Sequence, residues 1–209
     1  MLPEAELREA LSRVQLCTIR GPWVRRVSLA AILTGPPGAP QGTNPRPLWP
    51  GGPRRDGARF VPRDRFDALH LASDAITAVA EGEGLFRGRD GRLVVPLHSP
   101  EVDFRIEGVL IGVLDLADRT VQTELGTTVY ELTGDWRLMQ IIGEAIPTQI
   151  LGQLAYESGR IVAIRYMSTK NPNGGQNIVV LTDRLSINTG NFVEVFDPTG
   201  VLAERLPWP

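Results

Sequence analysis

The chain has only one cysteine, Cys17, and therefore cannot form a disulfide within itself. A lone cysteine suits a reducing compartment, and the acidic N-terminal residues lack the basic and then apolar pattern of a signal peptide. Together these features predict a cytoplasmic protein. We expect Cys17 to be a small buried hydrophobic residue, because the sequence offers it no obvious histidine partner for a nucleophilic role.

Histidine is nearly as rare, since His70 and His98 are the only two. These residues are too few for the usual zinc sites, so we expect no structural metal. The sequence also has neither a Gly-x-x-x-x-Gly-Lys-Ser/Thr phosphate loop nor a Gly-x-Gly-x-x-Gly turn before a helix. We therefore expect no prosthetic group.

The chain lacks an excess of either charge, because 22 Lys and Arg residues against 24 Asp and Glu residues give a net charge of -2. This near-neutrality argues against direct binding to nucleic acid through bulk electrostatics. The most apolar stretches, residues 27–33 and 109–116, are too short to cross a bilayer, so we expect no membrane association. Lys170 is the only lysine, which leaves 21 arginines, whose planar guanidinium groups suit phosphate oxygens.

The sequence does contain short apolar runs typical of strands, and a few segments with helical spacing of apolar residues. Helices are predicted over residues 4–15, 119–125 and 147–158, and after Ser73 as an N-cap until Gly82 or Gly84. Strands or buried apolar segments are predicted over residues 23–33, 68–72, 93–97, 104–106, 109–116, 161–165, 178–181 and 192–196. Without sustained strand-helix alternation, this pattern predicts an α+β fold in one compact domain.

Three regions follow from these boundaries: a helical extension over residues 1–20, a main domain over residues 21–190, and a C-terminal strand and tail over residues 191–209. Within the main domain, residues 34–58 are dense in proline and glycine. This density predicts a long loop with neither a helix nor a central strand, and such loops are often lids over functional sites.

Three polar residues stand in places that suggest a site. Arg59 follows the Pro/Gly-rich loop, Glu81 lies late in an otherwise apolar helix, and Ser168 lies between a strand and a Gly-rich turn. Taken alone, Glu81 also fits a solvated carboxylate at a helix end, and Ser168 fits a hydroxyl that stabilises the turn. The residues by themselves predict a cytoplasmic α+β domain with an anion site.

The order of three segments resembles the RES domain, a family named for its Arg, Glu and Ser. Residues 57–62 (GARFVP) resemble the family's Gly-Gly-Arg-Trp-Asn, residues 68–72 (ALHLA) its Ala-Leu-Tyr-Leu-Ala, and residues 77–81 (TAVAE) its Thr-Ala-Leu-Ala-Glu. The family's intervals are kept, because Arg59, His70 and Glu81 stand eleven residues apart.

Later segments extend the resemblance. Residues 113–116, 125–126 and 134–136 fit the middle of the family's pattern, and residues 164–168 and 174–180 resemble its closing Ser motif. The resemblance covers about residues 22–187, which is most of the chain.

RES domain proteins are typically toxins of bacterial toxin-antitoxin pairs, and their fold resembles that of ADP-ribosyltransferases. They consume NAD+ by splitting its nicotinamide-ribose bond, through hydrolysis or phosphorolysis. Their usual partner is an Xre-type helix-turn-helix antitoxin that blocks the site, and the toxin forms a homodimer within a larger complex. The resemblance therefore implies a fold of the ADP-ribosyltransferase type, NAD+ as substrate and an antitoxin as partner.

The resemblance also implies roles for individual residues. Glu81 would stabilise the positive charge that develops on the ribose when the glycosidic bond breaks, and Arg59 and Ser168 would complete the catalytic set. Arg59, Ser168 and His70 would bind NAD+, with an upstream arginine that is either Arg25 or Arg26. Register favours Arg26.

The chain departs from the family pattern in three ways. His70 replaces the family tyrosine, residues 60–61 are Phe-Val in place of Trp-Asn, and the insert lengthens the interval between the two arginines. Two alternatives therefore stay open: a mono-ADP-ribosyltransferase that modifies a protein target, and a catalytically silent domain that binds a nucleotide or a partner. Glu83 forms a Glu-Gly-Glu pair with Glu81, but helical spacing turns it off the face of Glu81.

Overall fold

A computed structural model describes residues 1–34, 46–82, 86–87, 93–94, 100–171 and 173–208. The helices are α1 (Glu4–Arg13), α2 (Leu29–Thr34), α3 (Gly51–Asp56), α4 (Ala75–Gly82), α5 (Arg119–Glu124), α6 (Val129–Thr133), α7 (Trp136–Ile142) and α8 (Pro147–Glu157). The strands are β1 (Cys17–Arg20), β2 (Trp23–Ser28), β3 (Ala68–Ala72), β4 (Phe86–Arg87), β5 (Leu93–Val94), β6 (Glu101–Asp115), β7 (Ala163–Met167), β8 (Gln176–Leu181), β9 (Phe192–Val195) and β10 (Arg205–Leu206). Residues 35–45 of the predicted 34–58 loop, Glu83, His98 and part of the predicted strand 93–97 lie outside the described residues.

The main sheet is mixed and has the strand order β10-β9-β6-β2-β3-β8-β7, with β1 paired to β6. Strand β6 is the longest and pairs antiparallel with β2 over its first half and parallel with β7 at its last residues. Because β6 meets both ends of the path β2-β3-β8-β7, the sheet curls and these five strands close into a ring. The predicted α+β class in a single domain is confirmed.

Two strands were predicted in place of β6, over residues 104–106 and 109–116. This division is wrong, because β6 runs without a break from Glu101 to Asp115. Gly108 continues the strand, because its missing side chain lets β9 approach closely: a Cβ there would lie 2.4 Å from the carbonyl oxygen of Phe192. Phe104, Ile106 and Leu110 are buried on one face of the strand, in alternation with more exposed residues.

Two hydrophobic clusters lie on opposite faces of the sheet. The first packs α1 and α8 onto the sheet through Leu7, Leu11 and Leu151, all fully buried. The second is built mainly from strand residues such as Leu69 and Ile178. Successive strand residues point to opposite faces, so β3 contributes to both clusters.

The predicted N-terminal helix is confirmed as α1, which has acidic residues in its first turn and Arg13 in its last, as the helix dipole favours. The predicted absence of a helix across residues 34–58 is wrong for α3. Pro53 is the third residue of α3, where a proline costs little because the first turn needs no backbone donor. The apolar segment 23–33 also divides, into β2 and then α2.

Cys17, expected to be buried, is half-buried on β1, and burial raises the pKa of its thiol. In the described parts of the chain, no helix is long and apolar enough to span a membrane. Over those same residues, no group of three or more His, Cys, Asp or Glu side chains is placed to hold a metal ion.

Candidate active site

A cleft of about 350 Å³ opens on the sheet face that carries the first cluster. Alternate positions of the strands point into it: Val24 and Arg26 from β2, His70 and Ala72 from β3, and Asn177 from β8. Helices α3, α4 and α7 form the other walls, and its remaining lining includes Asp56, Gly57, Ala58, Arg59, Glu81, Gly82, Glu101, Trp136, Arg137, Tyr166 and Lys170. The cleft therefore combines several arginines with one carboxylate from the end of α4.

Glu81 lies in the last turn of α4 and has one carboxylate oxygen fixed by two side chains. Its Oε1 accepts hydrogen bonds from the Ser168 hydroxyl and from the Asn177 amide, each at 2.7 Å. Ser168 is 8% and Asn177 is 6% exposed, so both donors are themselves held in place by packing. Oε2 accepts no hydrogen bond from the described residues, which leaves it available to a ligand in the cleft.

Helix α4 positions Glu81 through contacts at both of its ends. At the start, the Asp74 carboxylate accepts the backbone N–H of Thr77 at 2.8 Å, so Asp74 and not the predicted Ser73 caps the helix. The Ser73 hydroxyl instead donates to Asp74 and accepts the backbone N–H of Gln176. At the other end, the Lys170 ammonium donates to the Glu81 carbonyl oxygen at 3.3 Å.

Ser168 forms hydrogen bonds both with Glu81 and with the turn that follows β7. Its hydroxyl donates to Glu81, and its oxygen accepts the backbone N–H groups of Lys170 and Asn171, each at 3.2 Å. The turn after β7 is therefore tied directly to the carboxylate.

Arg59 enters the cleft from the segment between α3 and β3. Its Nη1 donates to the carbonyl oxygens of Leu132 at 2.8 Å and Gly134 at 2.9 Å. Helix α8 fixes the neighbouring backbone, because the Gln149 amide donates to the Ala58 carbonyl oxygen at 2.9 Å. In the described parts of the chain, Arg59 forms no ion pair.

The structure separates the two upstream arginines. Arg25 points to the opposite face of β2 and is half-buried. It donates to the carbonyl oxygens of Pro47, Trp49 and His70, so it holds the segment before α3. Burial lowers its pKa to about 10.

Arg26 lines the cleft, as the sequence register favours, and is paired with acidic residues of β6. It donates to the carboxylates of Glu101 and Asp103. A Cβ on Gly82 would lie 3.2 Å from Arg26 Cδ, so the arginine also packs against the end of α4.

His70 lies at the cleft wall on β3, with its ring partly exposed and its Nε2 buried without a hydrogen-bond partner in the described residues. Burial, reinforced by the charge of Arg25, lowers the pKa of the imidazole to about 4. The ring is therefore neutral at pH 7.

Several residues of the cleft carried no assigned role in the sequence interpretation. Asn177, Tyr166 and Trp136 all lie within segments that resemble the RES domain, and Arg137 directly follows one of them. Asn177 and Tyr166 could have been predicted from a β7-β8 hairpin next to Ser168, since the paired strands bring these two residues opposite each other. Burial raises the pKa of the Tyr166 hydroxyl, which stays protonated.

Comparison with known proteins places the chain beside one family. A family model described as RES domain matches residues 33–194. A chain from the crystal structure of the M. tuberculosis MbcT-MbcA toxin-antitoxin complex superposes with a TM-score of 0.63 at 17% sequence identity, covering 92% of this chain and 90% of that chain. No curated protein matches the sequence.

Proposed function

The chain belongs to the RES domain family, and from that membership and the geometry of its cleft we propose that it cleaves the bond between nicotinamide and ribose in NAD+. The observation that carries the proposal is the carboxylate of Glu81, whose Oε1 is fixed by Ser168 and Asn177 while Oε2 faces a cleft rich in arginine. NAD+ enters here as a substrate.

Cleavage of the nicotinamide-ribose bond requires little more from the protein than this carboxylate. As the bond from the ribose carbon to the nicotinamide nitrogen breaks, both electrons go to the cationic ring, which leaves as neutral nicotinamide. No proton donor is needed for that leaving group. The positive charge moves to the ribose, where the fixed negative charge of Glu81 stabilises the oxocarbenium-like transition state.

An acceptor then completes the reaction. Water or inorganic phosphate attacks the ribose carbon and loses a proton, giving ADP-ribose or its phosphorylated form. In this proposal Glu81 Oε2 would accept a hydrogen bond from a ribose hydroxyl, and Arg59, which also lines the cleft, would bind phosphate oxygens. The neutral imidazole of His70 adds no charge that would repel the developing cation.

The biological setting belongs to the same proposal. The structural neighbour comes from a toxin-antitoxin complex, which supports a role for this chain as a toxin whose depletion of NAD+ is held in check by an antitoxin. We propose an Xre-type helix-turn-helix protein as that antitoxin and the cytoplasm as the compartment. Co-expression with such a protein encoded beside this chain should yield a stable complex with lower activity.

The test of the chemistry is release of nicotinamide by the purified protein, measured by chromatography with and without inorganic phosphate. We expect Glu81→Gln to lower the rate at least 100-fold, because the substitution keeps the shape and the accepting oxygen but removes the charge. Glu157→Gln is the matched control, since Glu157 pairs with Arg8 far from the cleft and should leave the rate unchanged. A Glu81→Gln protein with the rate of the unmodified protein would contradict the proposal.

The same assay separates the alternatives. Mass spectrometry identifies the acceptor as water or phosphate. Transfer of labelled ADP-ribose to one protein of a cell lysate, without free ADP-ribose, would instead favour a mono-ADP-ribosyltransferase. Binding of NAD+ without any turnover would favour a catalytically silent domain.

A further inference from the structure

Two arginines, Arg59 and Arg137, both line the cleft. Arg59 is bonded through Nη1 to the carbonyl oxygens of Leu132 and Gly134, which belong to the segment that leads into α7. Arg137 is the second residue of α7. One arginine therefore anchors the segment that presents the other.

The two positive charges are close enough to affect each other. Burial lowers the pKa of Arg137, and the charge of Arg59 lowers it further. The hydrogen bonds of Arg59 go to neutral carbonyl groups, and it forms no ion pair within the described residues. The repulsion between these two positive charges raises the free energy of the empty cleft, because both are partly buried. A bound anion would lower that free energy.

Arg137 is also held in a defined orientation. Its Cζ lies 4.6 Å from the centre of the Trp136 ring, at a distance typical of a cation-π contact. Trp136 is 9% exposed, so the ring itself is fixed by packing. A guanidinium held in this way loses less side-chain entropy when it binds a ligand.

Arg26 offers a contrast within the same cleft. Its guanidinium donates to Glu101 and Asp103, so two carboxylates balance its charge before any ligand binds. Arg59 has no such carboxylate partner in the described residues, so more of its positive charge is available to an anion than that of Arg26.

We propose that Arg59 and Arg137 together form the phosphate-binding site of the cleft, with Arg137 as its second guanidinium fork. Two such forks match the oxygens of a phosphate group and stay charged at every physiological pH. The bound phosphate is either the pyrophosphate of the dinucleotide or inorganic phosphate acting as acceptor. Only this identification of the ligand rests on the proposed function.

Calorimetry with ADP and with inorganic phosphate tests the site without any turnover. We expect Arg137→Gln to weaken binding of one of these two ligands at least tenfold. Arg137→Lys keeps the charge but loses the fork, and should weaken binding less. Arg205→Gln is the matched control, because the Arg205 guanidinium likewise lies against an aromatic ring, 4.0 Å from the centre of the Phe192 ring, but outside the cleft.

The two sources of phosphate give different results. Loss of ADP affinity in Arg137→Gln assigns the pair to the pyrophosphate of the dinucleotide. Loss of inorganic phosphate binding to protein already saturated with ADP assigns it to the acceptor.

An Arg137→Gln protein that keeps the thermal midpoint and both affinities of the unmodified protein would overturn the inference, as would an unmodified protein that binds neither ligand. Binding that depends on Arg137 in a protein that does not cleave NAD+ would leave the phosphate site standing and refute the proposed function alone.

Discussion

At the scale of single residues, the electrostatics of the cleft depend on which charged side chains are held by hydrogen bonds. Glu81 has one carboxylate oxygen held by Ser168 and Asn177, so the direction of its charge is fixed in the folded protein. Such preorganisation is the usual source of electrostatic catalysis, because the site does not reorganise as the transition state forms. Under the proposed function, Ser168 and Asn177 would act through Glu81 as positioning residues.

His70 makes the stability of the protein sensitive to acid. Burial and the positive charges of Arg25 and Arg137 lower the pKa of its imidazole from 6.5 to about 4, although the negative charge of Glu81 acts in the opposite direction. The unfolded chain then takes up this proton near pH 6.5 while the folded protein resists it. The free energy of unfolding should fall as the pH drops from 6.5 to 4, by about 2 kcal/mol after allowance for the partly exposed ring.

Urea unfolding of the protein and of His70→Gln across this pH range measures the effect. Carboxylates titrate near its lower end in both proteins, so the difference between the two curves isolates the histidine. Parallel curves from pH 7 to pH 4 would show that His70 titrates normally.

At the scale of elements, the regular segments of the site could be predicted from the sequence. The spacing of eleven residues between Arg59, His70 and Glu81 spans one strand and one helix, β3 and α4, and both were predicted because their apolar residues follow the expected periods. The structure brings these three residues around one cleft, and Ser168 contacts the cleft through its hydrogen bond to Glu81. Their chemical roles stay predictions.

Other elements of the fold could not be predicted from the spacing of apolar residues. Helices α6 and α7 are too short for a clear apolar period, so Arg137 had no predicted place on the cleft wall. Helix α3 begins at Gly51 and contains Pro53, residues that usually break helices, and only its packing against β3 settles its form. The closing of β6 against β7 joins residues about 50 positions apart in sequence, as in the pair of Asp115 and Arg165.

The contact between α8 and the segment of Arg59 is unusually close, and a single methyl group should disturb it. A Cβ on Gly152 would lie 1.8 Å from the carbonyl oxygen of Phe60, the residue next to Arg59. Gly152→Ala should therefore lower the free energy of unfolding by about 2 kcal/mol or more and reduce nicotinamide release by displacing Arg59.

Gly52→Ala is the control for this substitution. It also lies in a helix, but a Cβ added there would lie 3.7 Å from the Trp49 ring, which is an ordinary contact. Its thermal midpoint should not fall. Equal thermal midpoints for the two variants would show that α8 tolerates the methyl group.

At the scale of the whole molecule, the two hydrophobic clusters lie on opposite faces of one sheet and share its strands. Adjacent residues of β3, Ala68 and Leu69, belong to different clusters, so neither cluster can lose its packing without disturbing the strands of the other. This arrangement favours unfolding as one unit.

A core substitution in one cluster should therefore destabilise the whole fold. Leu11 is fully buried between α1 and the rest of the first cluster, and Leu11→Ala should cost about 3 kcal/mol. Circular dichroism and the fluorescence of Trp23, in the second cluster, should shift to the same lower midpoint. Two separate midpoints would show that the clusters unfold independently.

The partners of Glu81 come from far along the chain, at separations of 87 residues for Ser168 and 96 residues for Asn177. During synthesis, a ribosome has made Glu81 long before it makes the β7-β8 hairpin that fixes its carboxylate. The assembled cleft therefore arises only after residue 177 has been synthesised. If the chain consumes NAD+ as proposed, translation products that end before Asn177 should leave the NAD+ of the cell intact.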